Sequence, residues 1–449
     1  MPKRIALQAR PGVRQPPGMS IPCALLFAAV LGAAQPDVSG YPDLQAAADA
    51  HPGKVLHVPA GDHMLSRRLI LKGDGAGLAG PGRIVQTDPS QPVVEISGLK
   101  DVTIRDVTLT RPPERSETTQ HAVLATGCAY LHLDGIRVID NRAATGAIAL
   151  RDCSFARITR CVVRNYMRVA VDDRTASADW GYAFNCTDGT GIQVRSSRGT
   201  LIEGNTVVEE TFRPTRELME RHRLGVWTKK NEVRGRFISE EAWRAARTDN
   251  WQQGSGIVVT SPESSDLTRI IGNHVENAAQ GVDLHADHVI VSGNVIANSF
   301  MGLKAMHGSR NVLIIGNQFV RNDLWAIGLM PGAAAHPGKE GDPRSANADG
   351  GSVVANNVIS DFGHGDAHWI WGPGRSPFKF DGGQQEDDPP LSEVIVQGNL
   401  LHCLGEPRYR HAVTIAPGPK HPKAPKGLRF VDNVLPPGTE GVCNQELPR

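Results

Sequence analysis

Seven asparagines constrain the fold of this chain more than any other feature. Asn205, Asn273, Asn294, Asn317, Asn357, Asn399 and Asn433 share one local frame, as in IIGNHV (270–275), IVSGNVI (290–296) and LIIGNQF (313–319). Three residues before the anchors lie Ile202, Ile270, Val291, Ile314, Val354, Val396 and Phe430. Two residues after them lie Val207, Val275, Ile296, Phe319, Ile359, Leu401 and Leu435. Three earlier units keep the apolar flanks around Cys161, Ile136 and Val107, which makes ten. The shortest spacings, 21 and 23 residues, are close to the bare repeat. A unit of that size holds three short strands and three turns and cannot bury its apolar face alone. Units must therefore stack, and longer spacings are loops inserted into single coils. Ten coils at ~4.8 Å each predict a rod of roughly 45 Å.

The pattern resembles the right-handed parallel β-helix of the pectin-lyase-like superfamily, which holds polysaccharide lyases and related glycoside hydrolases. The resemblance covers about residues 93–435. In that superfamily an asparagine ladder fills the turn between the second and third strands. This implies a structural role for the seven anchors, whose amides can hydrogen-bond along the stack. The segments PDLQAAADA (42–50), VLHVPAGDH (55–63) and LILKGDGAGLAG (69–80) resemble the opening of such proteins, where a short helix caps the core. The fold expected is all-β: a single-stranded parallel β-helix over 93–449, behind a cap and first strands at 35–92. Loop insertions are expected at 166–189 and 210–253, the second with a helix over 239–247 capped by Ser239.

Residues 1–34 read as an export signal. Lys3, Arg4, Arg10 and Arg14 precede an apolar run over 21–34 that ends in Gly32, Ala33 and Ala34. The run is shorter than the ~20 apolar residues of a membrane span, so the expectation is a secreted protein, extracellular or periplasmic. With 48 Lys plus Arg against 47 Asp plus Glu, the net charge is +1. No basic excess is available for nucleic acid or an anionic membrane. After the signal, Cys128, Cys153, Cys161, Cys186, Cys403 and Cys443 remain, without CxxC spacing or a disulfide scaffold. Cys128 and Cys153 follow equivalent strands at the same offset, so they should be neighbours within reach of a bridge. The GxGxxG at 75–80 is followed by Pro81 and Gly82 rather than a helix, which excludes a dinucleotide site.

The first strands of the units read GAIAL (146–150), GIQVR (191–195), GIVVT (256–260), GVDLH (281–285), GLKAM (302–306), AIGLM (326–330) and AVTI (412–415). Alternation sends Ile148, Ile192, Ile257, Val282, Leu303 and Ile327 inward. The outward residues form two columns. One runs Ala149, Gln193, Val258, Asp283, Lys304, Gly328; the other runs Arg151, Arg195, Thr260, His285, Met306, Met330. Asp283 and Lys304 are thus lateral neighbours, with His285 beside them and Arg195 two coils away. These four are the catalytic candidates. Arg151, Gln193 and His307 are candidate substrate contacts on the same face. All seven tryptophans fall in or beside the inserted segments, and flat indole faces suit sugar rings. Trp180, Trp251, Trp325 and Trp369 are the candidates for stacking, whereas Trp243 on the short helix is expected to pack.

Asp172, Asp173, Asp188 and Glu209 are acidic candidates near the insertions, able as a group to hold calcium, which takes six to eight oxygens. Cys186-Thr187-Asp188-Gly189 and Gly363-His364-Gly365 are faintly similar to the NTDG and GHG motifs of polygalacturonases. The paired aspartates and the Arg-Ile-Lys signature are missing. The resemblance implies a monomeric secreted enzyme acting on a polysaccharide. A lyase is expected, cleaving a uronic-acid polymer by β-elimination, which needs a base and a cation to stabilise the enolate-like charge. The superfamily commonly uses Lys or Arg as base, which puts Lys304 in that role, with His285 as base or proton donor and Arg195 and Arg151 on the substrate carboxylate. The alternative is a glycoside hydrolase pairing Asp283 with Asp188 or Asp173. A third reading is a non-catalytic surface or adhesion β-helix.

Overall fold

The structure is a computed structural model that describes residues 35–235, 238–248, 250–262, 264–331, 349–365, 375–382, 389–416 and 424–448. Three parallel sheets wrap one core. Each coil supplies one strand to each sheet, as Gln280–Leu284, Ile290–Ser292 and Val295–Ala297 do in turn. Among the described residues the sheet bearing the two outward columns, called here the groove sheet, has twelve strands. Among the same residues the second sheet has twelve and the third eleven. The chain is a parallel β-helix, as the repeat predicts. Two coils precede the ten seen in the sequence. Val55–His57 and Gly77–Ala79 open the second sheet, in register with Thr103–Arg105. The helix Leu44–Ala50, capped by Asp43, buries Leu44, Ala47 and Ala48 on the end of the core.

The seven asparagines stack in one turn. Each Nδ2 donates to the Oδ1 of the next, at 2.8–3.0 Å from Asn205 through to Asn433. Each Nδ2 also donates to a carbonyl of the second sheet on the preceding coil, as Asn294 does to Ile270 O at 2.9 Å. The same Oδ1 atoms accept from backbone N–H groups, so both donors and both lone pairs of an inner amide are used. Asn294→Ala would leave two buried Asn273 donors without an acceptor. A loss of about 2–4 kcal/mol in denaturant unfolding is expected. Asn433→Ala, at the half-buried end of the ladder, should cost less than half of that.

Glycine occupies the corner where the chain turns from the third sheet into the groove sheet. A Cβ on Gly281 would lie 2.3 Å from Ile296 Cγ2 and 2.6 Å from Gly302 O. The same crowding holds at Gly191, Gly256 and Gly302, so four successive coils carry glycine at this corner. Cys128 and Cys153 stand on adjacent coils, since Val123 pairs with Ile148. They are buried free thiols directed at carbonyl oxygens, not the bridge expected.

The insertions build a small antiparallel sheet of Arg168–Asp172, Tyr182–Asp188 and Trp227–Lys230. The short helix is Glu240–Ala245, stopped earlier than expected by Ala246 in the left-handed region, with Ser239 capping Ala242 N. Trp243 packs against Trp227, as expected. No helix among the described residues is long and apolar enough to cross a membrane.

Candidate active site on the groove sheet

Strand register sets the site. The first outward column pairs Ala149, Gln193, Val258, Asp283, Lys304 and Gly328 across successive coils, and it continues to Lys379 and Thr414. The second pairs Arg151, Arg195 and Thr260, then Met306 and Met330, and later includes Asp381. Lys379 and Asp381 belong to the groove but are missing from the two columns read from the sequence. The FKFD alternation at 378–381, with Phe378 and Phe380 inward, is the signal that finds them.

Asp283, His285 and Lys304 converge. Asp283 Oδ1 lies 3.0 Å from His285 Nε2 and 3.2 Å from Lys304 Nζ. Asp283 is 7% exposed and His285 9%, so the trio is largely withdrawn from water although it faces outward. Burial pushes the Asp283 carboxyl up. The charges of Lys304 and His285, with hydrogen bonds from both, more than reverse this and hold it well below the usual carboxylate range. The carboxylate accepts from His285 Nε2, and this contact fixes the orientation of the imidazole. His307, at φ 55°, brings its ring to 4.9 Å from the His285 ring.

The other candidates divide. Arg195 is exposed in the second column, two coils from His285. Arg151 is half-buried, with a guanidinium nitrogen 3.2 Å from His121 Nε2. His121 Nδ1 is 2.6 Å from Gly146 O. Gln193 folds over Gly146, where a Cβ would fall 2.7 Å from the Gln193 Cβ. Trp325 is half-buried beside the trio. Trp251 is 1% exposed and packs with Leu218, Met219 and Leu224, so it is a core residue of the insertion rather than a sugar platform. Trp180 packs beside Tyr182 and Phe184. Trp369 lies outside the described residues.

The acidic candidates do not form one cluster. Glu209, 0% exposed, accepts from Met167 N at 3.0 Å, Thr211 N at 2.9 Å and Phe212 N at 3.0 Å, and lies 3.5 Å from Arg142. It pins the roots of both insertions. Asp172 accepts three hydrogen bonds from Arg174, one from its backbone N at 3.0 Å and two from its guanidinium at 2.9 and 3.0 Å. Asp188 lies 3.8 Å from the same guanidinium. Burial pushes its carboxyl to about 6 against the pull of Arg174. Asp173 is exposed. Among the described residues no group of three or more His, Cys, Asp or Glu is arranged to hold a metal ion.

One further acid lies at the lip of the groove sheet. Asp323 pairs with Arg375 at 3.3 Å, and burial pushes its carboxyl to about 7, against Arg375 and Arg408. A raised folded value means that the fold favours the protonated form. Its contribution is therefore full below an unfolded value near 4 and is lost as pH rises through about 7. Asp323→Asn should raise stability at pH 8 relative to pH 5, by on the order of 2–4 kcal/mol. Unfolding of both proteins across that range checks it.

No protein-family model and no curated protein sequence matches the chain. Solved structures do. The A-module of mannuronan C-5 epimerase AlgE6 from Azotobacter vinelandii is 14% identical, with a TM-score of 0.51 over 90% of this chain and 100% of that one. A family 28 exopolygalacturonase from Yersinia enterocolitica is 12% identical, with a TM-score of 0.53 over 90% and 79%. A DFA-IIIase from Arthrobacter chlorophenolicus is 11% identical, with a TM-score of 0.52 over 92% and 98%. What the chain shares with these structures is the fold, a parallel β-helix of three sheets.

Proposed function

We propose that this protein is a secreted enzyme that removes the proton beside the carboxylate of a uronic-acid residue in a polysaccharide, with β-elimination as the outcome. The observation that carries the reading is the shared Asp283 oxygen, 3.0 Å from His285 and 3.2 Å from Lys304. Asp283 fixes the orientation of the His285 ring through Nε2, and His285 takes the role of base in this reading. Lys304 stands in the site as an ion-paired ammonium. It suits the cation role, stabilising the enolate-like charge, better than the base role the superfamily implies. Arg195, two coils along, is suited to a neighbouring sugar carboxylate. Two structural neighbours carry names of polysaccharide-acting enzymes, which agrees with this reading. Export rests on the sequence of residues 1–34, which lie outside the described residues.

The hydrolase reading needs a second carboxylate ~5–9.5 Å from Asp283. Asp188 ends a strand of the small antiparallel sheet, outside the groove strands, and lies 3.8 Å from Arg174. Asp173 is exposed at the start of a short helical turn in the same insertion. One assay separates the chemistries. Incubation with acidic and neutral polysaccharides is expected to produce ultraviolet absorbance from a new double bond, and only with the acidic ones. New reducing ends without absorbance would sink the lyase in favour of hydrolysis. Deuterium uptake from heavy water without chain cleavage would keep His285 as base but make the product an epimer.

A further inference from the structure

Trp325 opens its groove strand and pairs with Met301, while Gly328 on the same strand pairs with Lys304. A Cβ on Gly328 would lie 2.8 Å from Trp325 Nε1 and 3.0 Å from Cδ1. The indole therefore lies down over Gly328, in the place where the column would otherwise carry a side chain. The next residue in the column is Lys379, whose Nζ is 3.7 Å from Asp381. The groove floor thus reads carboxylate, ammonium, flat indole, ammonium over four consecutive coils: Asp283, Lys304, Trp325 on Gly328, Lys379. Each step is ~4.8 Å, about the advance of one hexopyranose in an extended chain.

From this row we infer that the groove binds an acidic polysaccharide lengthwise. The sugar next to the reacting residue stacks on Trp325, and the carboxylate of the residue beyond pairs with Lys379. The inference rests on the uronate reading above and adds the direction, the register and the minimum length of the ligand. Gly328 is a positioning residue: it touches no sugar and acts by leaving room for the indole. An apolar ring face gains from stacking on an aromatic plane, and an ammonium at the following step selects a charged residue over a neutral one.

The test is calorimetric titration of the intact protein with 1,4-linked uronate oligosaccharides of two to six residues, and with their carboxyl-reduced neutral counterparts. Trp325→Ala is expected to weaken binding of the longer acidic oligomers about tenfold, and Trp325→Phe should restore most of it. Gly328→Ala should weaken binding to the same degree, yet add nothing in the Trp325→Ala background. Lys379→Met should weaken only acidic oligomers long enough to reach it, again about tenfold, and leave the neutral series unchanged. Wild-type binding that is normal and indifferent to Trp325→Ala and Lys379→Met overturns the row alone. So does a Gly328→Ala effect that persists undiminished without the indole. A wild-type protein that binds no acidic oligomer overturns the row together with the uronate reading.

Discussion

His285→Ala is expected to lower turnover on the true polysaccharide by about 10²–10⁴, the usual range for a lost general base, while the fold survives. The side chain projects from the outer face of the groove sheet, and the core beneath is built from Val282, Leu284 and Leu303, which do not depend on it. Asp283→Asn should produce a loss of the same order with His285 intact. An amide does not reproduce the hold of the carboxylate on Nε2, so the imidazole loses its fixed orientation. Lys304→Ala should cost about 10²–10³, as for a removed charge stabiliser. The checks are kcat and KM on purified variants whose circular dichroism matches wild type. Near-wild-type turnover in His285→Ala would falsify its role as base. The same result in Lys304→Ala would reduce that residue to an ion-pair partner and move the reaction toward carboxylate chemistry.

Asp283→Ala carries the largest expected stability effect. The Lys304 side chain is 12% exposed, and Asp283 is its ion-pair partner, at 3.2 Å. Removing the anion leaves an ammonium largely withdrawn from water, which typically costs ~3–5 kcal/mol. Replacing both partners with apolar residues, Asp283→Leu with Lys304→Met, should restore most of that loss while activity stays abolished. Chemical denaturation of the two variants checks the contrast, and equal destabilisation would show that the pair is not what Asp283 supplies. The pH dependence follows from the lowered Asp283 carboxyl. A depressed folded value makes its stabilisation fully present above the unfolded value, ~3.9, and lost as pH falls below it. The acid limb of the stability profile should therefore flatten in the double variant. Asp323 acts in the opposite sense, on the neutral limb.

Coil register was readable from the sequence because it depends on local, repeated constraints. A buried amide needs the same partners in every coil, and two apolar flanks must face one core. This placed the ladder, the inward set and the two outward columns, including the contact between Asp283 and Lys304. The first two coils, at Val55–His57 and Gly77–Ala79, escaped the frame because the turn is longer there: Leu78 and Ile84 are six residues apart where their partners Ile104 and Leu109 are five. What only the tertiary structure decided are contacts between segments far apart in the chain, where no period exists. Trp251 and Trp325 are alike in sequence, yet one is sealed among Leu218, Met219 and Leu224 and the other lies over Gly328. Glu209 was a candidate metal ligand until its oxygens met three backbone N–H groups of the insertion roots. Periodicity fixes which way a strand residue points. The cover over it, and hence whether a carboxylate is a charge partner, an anchor or a ligand, is set by inserted loops whose packing obeys no repeat.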